Sequence, residues 1–241
     1  MDAESFGTRY DTLLKAPRMR ALYGDSGYFN IGYWEAGATD LVDACDRLVD
    51  ELASIVPDDA RFILDVGCGI GAGTKRLTDR FPDALVLGAN ISHWQLVQAK
   101  QRGVAVVVMD AVHLPIASAS ADAVIAAESA QCFDTRADFF AEAYRVLRPG
   151  GTLSVADMLF RDTGPTGSWM VPAANHIESL DQYGALITAA GFELGSVRDT
   201  VASCWKPYCA AMRGVFPGHE SRVDEIEASL AFYALAFATK P

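Results

Sequence analysis

Asp65-Val66-Gly67-Cys68-Gly69-Ile70-Gly71-Ala72-Gly73 is the stretch that decides the fold of this chain. It follows an apolar run at residues 61–66 (RFILDV) that reads as a buried strand, and it leads into a helix expected over residues 73–80. Glycines at alternate positions let the backbone turn sharply and admit a ligand where a Cβ would block it. The following helix aims its N-terminal amides at the same place, so a nucleotide cofactor is the natural occupant, with a purely structural corner as the alternative. A dinucleotide fingerprint needs its third glycine at position 72, where Ala72 stands. No lysine followed by Ser or Thr occurs at P-loop spacing, which excludes an NTPase loop.

Outward from this loop, short apolar runs alternate with amphipathic stretches, the pattern of βαβ units around a parallel sheet. Residues 84–89 (ALVLGA), 104–109 (VAVVVM) and 121–127 (ADAVIAA) are expected as strands two to four, and residues 152–156 begin the fifth. Ser92 is placed to cap a helix running to about residue 102, and a helix over 136–147 stops at Pro149-Gly150-Gly151. Another helix is expected over 179–190, ended by Gly191. The last two strands fall at 192–201 and 230–239, with an irregular segment and a short helix near 205–213 between them. Two stretches break the rhythm. Residues 1–60 hold YFNIGYW (28–34) and a helix over 40–55, read as an N-terminal cap. Residues 158–178 form a Gly/Pro/aromatic connection too long for an ordinary loop, read as a lid.

The 241 residues suit one α/β domain, and 51% of them are hydrophobic, enough for a sizeable core. The net charge of -11 opposes a polyanion, so nucleic acid is not expected as a partner. Five cysteines without paired spacing read as reduced thiols, consistent with the cytoplasm and with no metal site. The N-terminus lacks the pattern of a secretion signal, and no apolar run approaches the roughly 20 residues of a membrane span. A homo-oligomer is compatible with these features.

The glycine stretch DVGCGIGAG resembles the first motif of class I S-adenosylmethionine-dependent methyltransferases. Later segments resemble the family's other motifs in order. Asn90-Ile91-Ser92 falls where the family usually has a ribose-binding carboxylate, Asp110-Ala111 at the adenine position, and Ala127-Glu128 where the methionine portion lies. Arg145-Val146-Leu147-Arg148-Pro149-Gly150-Gly151 is similar to its approach to the fifth strand. The resemblance implies a single Rossmann-like α/β domain with a seven-stranded, mostly parallel sheet of order 3-2-1-4-5-7-6. The last strand would be antiparallel, with helices on both faces. It implies S-adenosyl-L-methionine as cofactor, held by Asp65, Gly67, Gly69, Gly71, Asn90, Ile91, Gln95, Asp110, Ala111 and Glu128. Asn90 departs from the usual carboxylate: an amide accepts at one end and donates at the other. Natural-product methyltransferases share this "N-I-S" and a "G-Y-W-E" stretch (residues 32–35), which adds Tyr33 to the cofactor candidates. Packing onto the core is the competing role for Tyr28, Tyr33 and Trp34.

Ligands in such sheets bind at the carboxyl ends of the strands. Phe29, Gln131, Phe133, Met158 and Trp169 are therefore the expected substrate pocket, closed by the lid. His176, at the end of the lid, is the candidate base, with a water-exposed loop histidine as the bland alternative. His113 and His219 read as structural or solvated, and His93 as bordering the ribose. The expected function is in-line methyl transfer to oxygen of a small, largely apolar metabolite in secondary metabolism. Methylation of carbon or nitrogen, or structural use of the cofactor in a cyclase, are the alternatives.

Overall fold

The computed structural model describes residues 3–35, 37–161 and 171–241. Seven strands form one sheet in the order β3-β2-β1-β4-β5-β7-β6. They are β1 (Phe62–Val66), β2 (Leu85–Asn90), β3 (Ala105–Val108), β4 (Ala121–Ala127), β5 (Leu147–Phe160), β6 (Glu193–Asp199) and β7 (Leu230–Thr239). The first five run parallel, and β7 is antiparallel to both β5 and β6. This is the expected Rossmann-like architecture. Buried parallel strands are covered on both faces, which is why they read as continuous apolar runs rather than alternating ones. β4 illustrates it, since Ala121 through Ala126 are all buried.

Helices α3 (Leu41–Leu52), α4 (Ala72–Arg80), α5 (His93–Gln101), α6 (Arg136–Val146) and α7 (Leu180–Ala189) pack around the sheet. Four start on a side chain that accepts from the third residue on: Asp40, Ser92, Thr135 and Ser179. The cap consists of α1 (Ala3–Leu14), α2 (Pro17–Tyr23) and α3, with the aromatic stretch between α2 and α3. Helix α8 (Trp205–Val215) extends the expected short helix by two residues.

Three details differ from the sequence reading. The fifth strand continues to Phe160, because Met158, Leu159 and Phe160 pair with Tyr233, Phe232 and Leu230 of β7. The connection read as a lid therefore begins later than residue 158, and residues 162–170, with the pocket candidate Trp169, lie outside the described residues. A ninth helix, α9 (Glu220–Ser229), occupies part of the segment read as irregular. Its sequence, ESRVDEIEAS, buries only Val223 and Ser229, so it carries almost no apolar period. Among the described residues no helix is long and apolar enough to cross a membrane.

Candidate cofactor and acceptor site

The glycine loop leaves β1 and folds back over β2, with the Gly67 and Cys68 N–H groups donating to Ala89 O at 2.8 and 3.1 Å. Gly67, Gly69 and Gly71 all have positive φ, at 79°, 55° and 89°. Their roles differ. A Cβ on Gly67 would lie 2.3 Å from Ser129 Cβ, and one on Gly71 2.8 Å from Ala99 Cβ. Those two glycines let β4 and α5 approach the loop. Around Gly69 there is open space instead, and this glycine faces a cavity of about 410 Å³. That volume falls in the roughly 300–1,000 Å³ typical of small-molecule sites.

The cavity sits at the carboxyl ends of the parallel strands. Eleven of the sequence-expected residues line it: Asp65, Gly67, Gly69, Asn90, Ile91, Gln95, Asp110, Ala111, Glu128, Phe29 and Phe133. Asp65 closes its floor, accepting from Thr74 Oγ1 at 2.6 Å, and burial pushes its carboxyl up to about 6. At the end of β2, Asn90 Oδ1 accepts from the Ser92 N–H at 2.9 Å while its Nδ2 donates to Gln95 Oε1 at 3.0 Å. The Val112 N–H donates to Asp110 Oδ1, holding the turn after β3.

Glu128 is the least ordinary group in the wall. It has a φ of 55°, a left-handed conformation that costs a non-glycine residue energy and that clusters at functional sites. Its Oε1 accepts from Ile31 N–H at 2.8 Å and Tyr233 OH at 2.6 Å, which ties the aromatic stretch to β4 and β7. Among the described residues its Oε2, which is buried, has no hydrogen-bond partner. Burial pushes the carboxyl from an ordinary 4.5 up to about 8, outweighing the pull of those two donors. Such a carboxyl holds its proton more tightly in the folded chain, so the fold loses stability as pH rises from 4.5 toward 8. Glu128→Gln keeps an acceptor for Ile31 and Tyr233 but cannot ionise. Its melting temperature relative to wild type is expected to rise steadily from about pH 5 to about pH 8.5. Parallel melting curves over that range would contradict the assignment.

Several expected residues lie elsewhere. Gly32 turns the chain onto α3, where its Cβ would meet Ala44 Cβ at 2.5 Å, and the Tyr33 N–H then donates to Ala44 O. Tyr33 OH is left donating to Glu35 at 2.6 Å, outside the cavity wall. Gly71 serves helix packing, as above. Gln131 is fully buried, its Nε2 donating to Glu128 O, and Met158 is core within β5; neither lines the cavity. His176 is exposed and absent from the wall. Its neighbour Asn175 takes the inward place, donating to Gln131 O and Phe133 O and accepting from the Arg136 N–H. His113, by contrast, is exposed as the sequence suggests.

The sequence reading lacks one wall entirely. Gly7, Tyr10 and Leu14 of α1 line the cavity, as do Tyr28, Asn30, Cys132, Asp134, Val171 and Pro172. Positions 7, 10 and 14 share one helical face, a signal present in the sequence. Burial pushes the Tyr10 hydroxyl upward and the Cys132 thiol up to about 12. Among the described residues no three His, Cys, Asp or Glu side chains converge as a metal site.

A mostly parallel sheet with a glycine loop at the end of β1 and a largely apolar cavity over it, edged by polar groups, is the arrangement of an enzyme that binds a nucleoside cofactor. A methyltransferase domain family matches residues 64–155. The methyltransferase GfsG of Streptomyces halstedii is 34% identical over 199 residues, covering 75% of this chain and 70% of its own. The 27-O-demethylrifamycin SV methyltransferase of Amycolatopsis mediterranei is 32% identical over a 243-residue alignment, 92% of this chain and 86% of its own. Among solved structures, the 4+2 cyclase SpnF superposes with a TM-score of 0.81 at 26% identity, covering 100% of this chain and 97% of that one. The chain belongs to the class I S-adenosylmethionine-dependent methyltransferases, in the branch that tailors natural products.

Proposed function

We propose that this protein methylates a hydroxyl group of a small, largely apolar natural product. The observation that carries this reading is that one cavity is lined both by polar groups from the exits of β1, β2 and β3 and by apolar side chains from the aromatic stretch, the turn after β4 and residues 171–172. The polar set is Asp65, Gly69, Asn90, Gln95 and Asp110, which offer the carboxylates, amides and open backbone suited to a nucleoside. The apolar set is Phe29, Phe133, Cys132, Val171 and Pro172, suited to a hydrophobic acceptor. Glu128 also lines the cavity, and its Oε2, with no partner among the described residues, would accept from a methionine ammonium once that cation draws off the carboxyl proton. The similarity to a named O-demethylrifamycin methyltransferase supports oxygen as the methylated atom.

When bound, S-adenosylmethionine supplies a methyl group on a sulfonium that leaves as a neutral thioether. The protein's own contribution is alignment and exclusion of water, together potentially worth roughly 7–11 kcal/mol. Tyr10 and Tyr28 from the N-terminal segment, with Val171 and Pro172, line the same cavity and limit access of water to it. No exposed loop histidine is needed for that task, and His176 is not assigned as a base.

Incubation with methyl-labelled S-adenosylmethionine and a panel of apolar alcohols and phenols tests the reading. Label retained in an ether product is expected. Label found on nitrogen or carbon, or a product isomeric with its substrate and unlabelled, would contradict it; the latter outcome is the chemistry of a cyclase.

A further inference from the structure

One hydrogen-bond chain leaves the cavity and ends on the N-terminal helix. Asp11 of α1 accepts from Ser92 Oγ (2.8 Å to Oδ1, 3.0 Å to Oδ2) and from Gln95 Nε2 at 2.8 Å. Gln95 Oε1 accepts from Asn90 Nδ2 at 3.0 Å, and Asn90 Oδ1 accepts from Ser92 N–H at 2.9 Å. Asn90 and Gln95 both line the cavity, while Asp11 stands behind them, 79 and 84 residues away in sequence by the difference of their numbers.

We propose that Asp11 is a positioning residue that fixes the hydrogen-bond polarity of the ribose subsite through Gln95 and Asn90, making α1 part of the cofactor site. This rests on the reading that Asn90 and Gln95 face the S-adenosylmethionine nucleoside. An ionised carboxylate only accepts, so Gln95 must turn its amide nitrogen toward Asp11 and its oxygen toward residue 90. Residue 90 must then donate, which asparagine does and aspartate does not. With one N–H spent on Gln95 and one lone pair on Ser92, Asn90 keeps one donor and one acceptor for a ligand. A carboxylate at position 90 beside Asp11 would put an acceptor at both ends of Gln95, whose amide has a single donating end. The amide at the end of β2 is thus the consequence of a carboxylate placed on α1. Because α1 also carries Gly7, Tyr10 and Leu14 of the wall, whatever fixes Asp11 fixes that wall.

Exchanging the two groups reverses the chain without breaking it. In D11N/N90D, the amide placed on α1 donates to Gln95 Oε1, and Gln95 Nε2 donates to the carboxylate placed at the end of β2. That carboxylate still accepts from the Ser92 N–H. In D11N alone the side-chain oxygen on α1 still accepts from Ser92 and Gln95, so a small effect is expected.

The test titrates S-adenosylhomocysteine into wild type, D11N, N90D and D11N/N90D, and follows amide hydrogen exchange over residues 3–14 in the ligand-free proteins. N90D is expected to raise Kd at least about tenfold and to speed exchange in α1, since it leaves a buried acceptor facing an acceptor. The double variant is expected to return to within about threefold of wild type. N90D binding as tightly as wild type, or additive effects of the two substitutions, would overturn the relay. Wild type that binds no S-adenosylhomocysteine, with exchange still following the swap, would instead remove the cofactor reading.

Discussion

Replacing Asp157 by alanine is expected to destabilise the fold by about 3–5 kcal/mol, measured as the shift in chemical denaturation free energy. Arg136 is 1% exposed, and Asp157 is its only carboxylate partner among the described residues. Its Nε donates to Asp157 Oδ2 at 2.7 Å and its Nη2 to Oδ1 at 3.2 Å, while Tyr183 OH reaches Oδ2 at 2.9 Å. The same guanidinium donates to Met158 O and to Asn175 O, so it also ties the turn at Asn175 to β5. Alanine leaves this cation buried and uncompensated, which is costlier than the pair was stabilising. Replacing both partners, as in R136M/D157L, removes the charge and is expected to recover much of the loss. If D157A unfolds with wild-type energetics, the buried pair is not what holds the turn at Asn175 against β5.

The second large effect is expected at Gly67. Gly67→Ala meets Ser129 Cβ at 2.3 Å and Oγ at 2.6 Å, and it forces φ of 79° on a residue with a side chain. Ser129 cannot retreat freely, because its hydroxyl donates to Val66 O at 2.8 Å across the same gap. Left-handed strain of about 1–2 kcal/mol and overpacking of about 1–3 kcal/mol both act on the strand exits that form the cavity floor. Loss of S-adenosylhomocysteine binding together with a lower melting temperature is expected. Gly69→Ala provides the contrast: its Cβ has nothing within 4 Å, so the fold bears only the left-handed strain while the cavity loses room. Calorimetric titration paired with thermal melts separates the two. Equal losses of stability in both variants would contradict the different roles given to these glycines.

The parallel strands were legible because each is an apolar run bounded by turn residues, whereas their order followed from the resemblance to the methyltransferase family, whose motifs sit at fixed places along the sheet. Ser92 as a helix cap was equally legible, since capping is decided within three residues. Features decided by distant contacts were not. Helix α9 buries too little to show a period, and Asp11 owes its role to residues 81 and 84 positions away. Tyr33 left the site because Gly32 turns the chain onto α3, a corner that the aromatic pattern does not announce. His176 lies outside the cavity wall, in line with the exposed-histidine alternative: a short turn over Ala173–Asn175 puts the Asn175 amide against Gln131 and Phe133 and leaves its neighbour exposed. The glycine loop was legible as a cofactor loop, but the separate tasks of Gly67, Gly69 and Gly71 depend on what packs behind each one.

Calorimetric titration of the purified wild-type chain with S-adenosylhomocysteine, run beside NAD as a control, tests the cofactor site most directly. Saturable binding of S-adenosylhomocysteine at one site per chain, lost in Gly67→Ala and absent with NAD, is the expected result. No heat with S-adenosylhomocysteine, or binding of NAD instead, would contradict it.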